Sequence, residues 1–146
     1  MDNDSPSIVV ACDGSVQSLS AAKMAADLAD ATGHPLKLLA VSPYSQSEAL
    51  VIAGYEQTKI DAARQQYGRK VFDTTKEALG GRAESSEEIL LNGDPAHEII
   101  EYMHAHPGTH LVVGRRGFSA VRSLTLGSVS EKIVRHATGP VTVVGH

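Results

Sequence analysis

The segment that most limits what this chain can become runs from Gly114-Arg115-Arg116-Gly117, across nine further residues, to Gly127-Ser128-Val129-Ser130. It begins where the apolar run Leu111-Val112-Val113 stops. It ends where a helically spaced series, Val129, Ile133, Val134 and Ala137, starts, so it is a strand-to-helix crossing. Crossings of this kind hold ligands in parallel α/β sheets. Glycines at 114, 117 and 127 let the backbone take positive φ and come within hydrogen-bonding distance of an anion. Ser128 offers a hydroxyl at the start of a helix whose free N–H groups and dipole favour negative charge, and Arg115, Arg116 and Arg122 add three cations. The combination suits a chain of phosphates. A plainer reading of the same residues also stands: Ser128 with Glu131 three residues on is a capping box that only begins a helix, and Gly117 only turns the chain.

Around that crossing, strand and helix patterns alternate. Ile8 to Cys12 is a short apolar run fit for a strand buried on both faces. Asp13-Gly14-Ser15 ends it, with Asp13 in its plain role a turn residue that caps the next helix. Val16 to Thr32 is helical, with Leu19, Ala22, Ala25, Ala26 and Ala29 on one side and Gly33 as the stop. Leu36 to Val41 is the second strand, broken by Ser42-Pro43. Ala49 to Tyr55 is apolar but interrupted by Gly54, and reads as a loop or short helical turn before one long helix from Gln57 to Leu79, stopped by Gly80-Gly81. Glu84 to Leu91 is a third strand, polar at its start as an edge strand would be, and Asn92-Gly93 turns the chain. Asp94 as N-cap and Pro95 at the first helical position open a helix with the stripe Ala96, Ile99, Ile100 and Met103, ending near His106-Pro107-Gly108. His110 to Val113, a helix from Ser128 to Ala137, and Val141 to Val144 complete the series. Such alternation predicts a parallel sheet with right-handed crossovers and helices on both faces.

The spacing Gly-x2-Gly-x9-Gly-Ser resembles the nucleotide-binding signature of the universal stress protein family. The resemblance extends from Ile8-Val9-Val10-Ala11-Cys12-Asp13-Gly14-Ser15 through Gly93-Asp94-Pro95-Ala96 to Gly139-Pro140-Val141-Thr142-Val143-Val144. It implies an open five-stranded parallel sheet of order 3-2-1-4-5, a Rossmann-like fold of the adenine nucleotide alpha hydrolase-like kind. In that order the ligand crevice lies beyond the carboxyl ends of strands 1 and 4. The implied ligand is ATP, with Mg2+: Asp13 at the nucleoside end, the backbone of Val41 reading the adenine edge, and Gly114, Arg116, Gly117, Gly127, Ser128 and Val129 around ribose and phosphates. Ala11, Val113 and Ser130 complete the cofactor-binding set. Arg115 stands where relatives often carry a small polar residue. The resemblance also implies a homodimer through the last strand, whose Val141, Val143 and Val144 would otherwise form an unpaired sheet edge.

A length of 146 residues predicts one domain over 1–146, with residues 1–6 extended or disordered. Net charge of −4 argues against a general nucleic-acid or membrane-surface role. The start Met1-Asp2-Asn3-Asp4-Ser5-Pro6 is the reverse of a secretory signal, and no run is long enough to span a membrane, so a cytoplasmic location is expected. Cys12, within the first apolar run, reads as a small buried hydrophobe. His97, His104, His106 and His110 are close in sequence but read as solvated residues of a helix face and its end rather than as a zinc set.

Three catalytic patterns are missing: Gly-x4-Gly-Lys-[Ser/Thr], Gly-x-Gly-x-x-Gly after the first strand, and Gly-x-Ser-x-Gly. No base for phosphoryl transfer can be named. The expectation is therefore an ATP-binding stress-response regulator or interaction module without dedicated catalysis. A slow ATPase and a nucleotide-free dimeric scaffold of the same fold are the alternatives.

Overall fold

Side chains along the buried central strands face the two sides of a single sheet in turn, and this divides the interior into two cores, one on each side. In the computed structural model, which describes residues 5–43, 54, 57–115 and 127–145, the strands are β1 (Ser7–Ala11), β2 (Leu36–Pro43), β3 (Glu87–Gly93), β4 (Thr109–Gly114) and β5 (Val141–Val144). The helices are α1 (Val16–Thr32), α2 (Gln57–Leu79), α3 (Pro95–Ala105) and α4 (Ser128–His136). All four strand pairings are parallel and the order is β3-β2-β1-β4-β5, the Rossmann-like arrangement expected. Ile8, Val10, Leu38, Ala40 and Val112 face α1 and α2, whereas Val9, Ala11, Leu39, Val41, Leu111 and Val113 face α3 and α4. A strand sandwiched between two helical layers must be apolar on both faces, which is why β1 reads as an unbroken apolar run.

Small side chains set how closely α1 approaches the sheet. Ala21, Ala22, Ala25 and Ala26 are buried, so the helix backbone itself lies against the strands. Ser15 caps its start and Gly33, at φ 74°, closes its end in the left-handed conformation.

Element boundaries shift in instructive ways. Strand β1 begins one residue earlier than the apolar run, at Ser7, and stops at Ala11; Cys12 lies just beyond it, its N–H still donating to the Leu39 carbonyl at 2.7 Å. Ser42-Pro43 does not break β2, because both residues pair with the end of β3 at Asn92 and Gly93. Strand β3 itself starts at Glu87 rather than Glu84: Gly80 and Gly81, both at positive φ, open a series of turns that uses up the intervening residues. The helix from Gln57 to Leu79 is found as expected. Apart from Gly54, the stretch from Ala49 to Tyr55 lies outside the described residues.

An ion-pair network ties α2 to the edge strand β3. Arg69 and Lys76 reach Glu88 at 2.6 and 2.8 Å, and Arg69 also holds Asp73. The Arg69 guanidinium foremost, with Lys76 behind it, lowers the Glu88 carboxyl from 4.5 to about 2. Its stabilising contribution is therefore complete above about pH 4.5 and is lost as pH falls through about 2. Because Arg69 is half exposed, that contribution is discounted to about 1 kcal/mol. Urea unfolding should show Glu88→Gln less stable than the parent by this amount at neutral pH, with the difference closing in acid; a constant difference across the titration would contradict the assignment.

Candidate functional site

The direction of strand order reverses between β1 and β4, whose carboxyl ends are adjacent: Val10 stands opposite Val112. From there the chain leaves β1 for α1 on one face and β4 for α4 on the other, which opens a crevice between the two departing segments. Ala11, Val41 and Val113 line up at this end of the sheet, each about 1% exposed and packed under α3 and α4. Only their backbone groups can face a ligand.

The turn after β1 is built by short side chains. Asp13 Oδ1 accepts from the Ser15 N–H at 2.9 Å, and the Ser18 hydroxyl accepts from the Asp13 N–H at 3.3 Å. Gly14 takes φ 82° with open space where a Cβ would stand, so its requirement is conformational. The helix cap is Ser15, whose Oγ accepts from the Ser18 N–H at 3.1 Å, and not Asp13. Asp13 shapes the turn and keeps a half-buried carboxylate just beyond β1. Its field reaches Tyr67 on α2, where burial first and then Asp13 push the phenol upward. Tyr67 has no motif to mark it and was not expected from sequence. Cys12 is fully buried and its thiol is pushed up to about 12, chiefly by burial, so it is protonated at neutral pH.

The glycine loop is rooted differently from the expectation. An ideal Cβ on Gly114 would stand 2.9 Å from the Gln17 carbonyl oxygen, so glycine is needed there to let the end of β4 pass beneath the first turn of α1. Gly127 is extended, at φ −68° and ψ 161°, a conformation open to any residue. Positive φ is thus not what either position requires, and the reason for expecting glycine there is corrected to close approach at Gly114. Arg115 N–H donates to the Val144 carbonyl at 3.0 Å, Gly127 N–H donates to the Arg115 carbonyl at 2.9 Å, and the buried Ser130 hydroxyl donates to the Gly114 carbonyl at 2.7 Å.

Helix α4 begins without a side-chain cap. Its N-cap is Gly127, Ser128 is the first helical residue, and Glu131 pairs with Arg135 rather than reaching back. The capping box read from Ser128 and Glu131 does not form. By contrast Ser15 caps α1 and Asp94 caps α3. Among the described residues the N–H groups of the first turn of α4 therefore have no side-chain acceptor, and Ser128 stands exposed beside them with Val129 half buried. That is a donor set for an anion, favoured by the helix dipole. Arg115 is half buried at the root of the loop; Arg116, Gly117 and Arg122 lie outside the described residues.

Two of the histidines grouped in sequence make contacts within the fold, while His97 and His104 are exposed. His106 stacks on Tyr102 with centroids 4.0 Å apart, and His110 Nε2 meets the Thr142 hydroxyl at 2.7 Å, joining β4 to β5. Among the described residues no helix is long and apolar enough to cross a membrane.

Comparison with known proteins agrees with this architecture. The model of the universal stress protein family matches residues 6–145. Universal stress protein YxiE of Bacillus subtilis is 33% identical over 143 residues, which cover 94% of this chain and 97% of the relative. Among solved structures, a universal stress protein in complex with cAMP superposes with a TM-score of 0.65 at 25% identity, covering 97% of this chain and 98% of the other. A universal stress protein from Archaeoglobus fulgidus in complex with dAMP gives a TM-score of 0.66 at 20% identity, covering 96% and 98%; at that identity the likeness is one of fold.

Ser130→Ala leaves the Gly114 carbonyl without its hydroxyl partner inside the core. The expected cost is about 1–2 kcal/mol, which lowers the melting temperature by about 3–6 °C for a domain of this size. An unchanged melting curve would show that this bond does not hold the loop root.

Proposed function

The chain belongs to the universal stress protein family, and from that premise we propose that it binds ATP, with Mg2+, in the crevice between β1 and β4 and acts as a nucleotide-dependent regulator or interaction module in the cytoplasm. The observation that carries the proposal is the uncapped start of α4, held by backbone hydrogen bonds against the ends of β4 and β5. Its N–H groups and the Ser128 hydroxyl receive phosphate oxygens. Gly117, Gly127 and Val129 border them with their backbones, and Arg116 adds charge. Asp13 meets the ribose hydroxyls, and the backbone of Val41 distinguishes adenine. The residues at hand fit such a ligand: one end of the crevice offers hydrogen-bond donors and the other a carboxylate. Relatives of the same fold in complex with cAMP and with dAMP support an adenine nucleotide as the ligand class. Mg2+ arrives with the triphosphate and offsets its charge, a task that a Walker-type lysine performs elsewhere.

A homodimer through β5 belongs to the same proposal. The strand is at the sheet edge, its four residues are half buried, and its outer N–H and C=O groups need partners. Sedimentation at micromolar concentration should give a dimer, and deletion of residues 140–146 should give monomer; a parent that already sediments as monomer contradicts this part.

Binding itself is tested by melting with nucleotide. ATP with Mg2+ at a hundred times its dissociation constant should add about 2.7 kcal/mol to stability, and Gly127→Val should abolish the gain by placing a branched side chain where phosphate approaches. Since the backbone of Gly127 is extended, valine brings no backbone strain there, and circular dichroism should be unchanged. Equal protection by GTP would remove the adenine reading, and a folded Gly127→Val that binds as the parent does would remove the phosphate reading.

A further inference from the structure

A second cavity, about 670 Å³, opens beside the carboxyl-terminal end of α3 and over β2 and β3, and none of the residues assigned to the crevice lines it. Its size falls in the range of small-molecule sites. Ile89 and Leu91 of β3 give it an apolar floor, and the stacked rings of Tyr102 and His106 form a wall. Lys37 and Glu87, directly opposite each other on β2 and β3, supply a charge of each sign.

The polar groups here have capacity to spare. Lys37 Nζ and Glu87 Oε1 are 3.6 Å apart, close enough to attract but too far for a hydrogen bond. The backbone carbonyl of Tyr102 can only accept, so His106 Nδ1 donates to it at 2.9 Å and, in the neutral ring, Nε2 is left as an acceptor. The Tyr102 hydroxyl has no partner among the described residues. Two donors, two acceptors and an apolar floor thus converge on one space.

We propose that this cavity binds a free α-amino acid with a bulky apolar side chain. A simple organic anion reaching Lys37 would lie against Glu87, and a simple amine reaching Glu87 would lie against Lys37, so either meets repulsion along with attraction. An α-amino acid carries its two charged groups on one carbon, close together as the protein's pair is here. Its carboxylate meets Lys37 and the Tyr102 hydroxyl while its ammonium meets Glu87 and His106 Nε2, and the side chain covers Ile89 and Leu91. This site uses no residue of the nucleotide crevice, so it stands or falls independently of the proposed ATP binding.

Calorimetric titration of the full chain with L-phenylalanine and L-tryptophan tests it. The expected result is saturable one-to-one binding, weakened at least about tenfold in 3-phenylpropionate, which lacks the ammonium, and in phenethylamine, which lacks the carboxylate, since each forfeits a charge-assisted hydrogen bond. Glycine, without the apolar side chain, should bind as weakly. Lys37→Met and Glu87→Gln should each cost a similar factor, with unchanged circular dichroism and an unchanged melting response to ATP. Heats no larger than dilution for both amino acids at roughly 10 mM, a concentration that reveals even weak sites, would overturn the proposal. So would phenethylamine or 3-phenylpropionate binding as tightly as phenylalanine, or full affinity in both variants.

Discussion

Three hydrogen bonds at the root of the glycine loop hold together the end of the molecule where the candidate site lies. Val144 of the edge strand accepts from Arg115, Arg115 accepts from Gly127, and Gly114 accepts from Ser130 inside the core. They fix the first turn of α4 against two strands without using any side chain at the helix cap. A capping serine or aspartate would have taken up one of these N–H groups and left fewer to offer a ligand. Leaving the cap to glycine keeps those donors open, and the backbone relay supplies the stability that a cap would have given. The relay ends on β5, the strand at which a second copy is proposed to pair.

Most of the fold was legible in the sequence because burial on both sides of a parallel sheet leaves a strong trace: Ile8 to Ala11 and Leu111 to Val113 cannot easily be anything but inner strands. Signals at helix ends were equally direct where a side chain does the work, as with Asp94-Pro95 and Gly33. Errors arose where backbone partners decide the outcome. Ser42-Pro43 looks like a break, yet proline at the end of β2 still has a strand beside it. The turns after Gly80-Gly81 postpone β3 by three residues relative to Glu84, and composition does not fix how many residues a run of turns uses.

The candidate site was legible as a place in the fold more than in its contacts. Spacing located the loop, and topology brought the ends of β1 and β4 side by side. What spacing could not reveal was why each residue is there. Gly114 answers to the Gln17 carbonyl, a neighbour almost a hundred positions away in sequence, and Ser130 spends its hydroxyl on Gly114. Ser128 matches a capping box in sequence, but no reciprocal bond forms because Gly127 already occupies the cap. Tyr67 went unnoticed because its relation to Asp13 exists only once α2 lies over the sheet.

The central claim is that the crevice between β1 and β4 is where an adenine nucleotide sits, with its phosphates on α4. Backbone amide shifts recorded during titration with ATP and Mg2+ test this residue by residue. The account predicts the largest changes at Gly14, Ser42, Gly114, Arg115, Ser128 and Val129, with Lys37, Glu87 and His106 undisturbed. Saturating shifts clustered anywhere else, or no shifts at millimolar nucleotide, would contradict it.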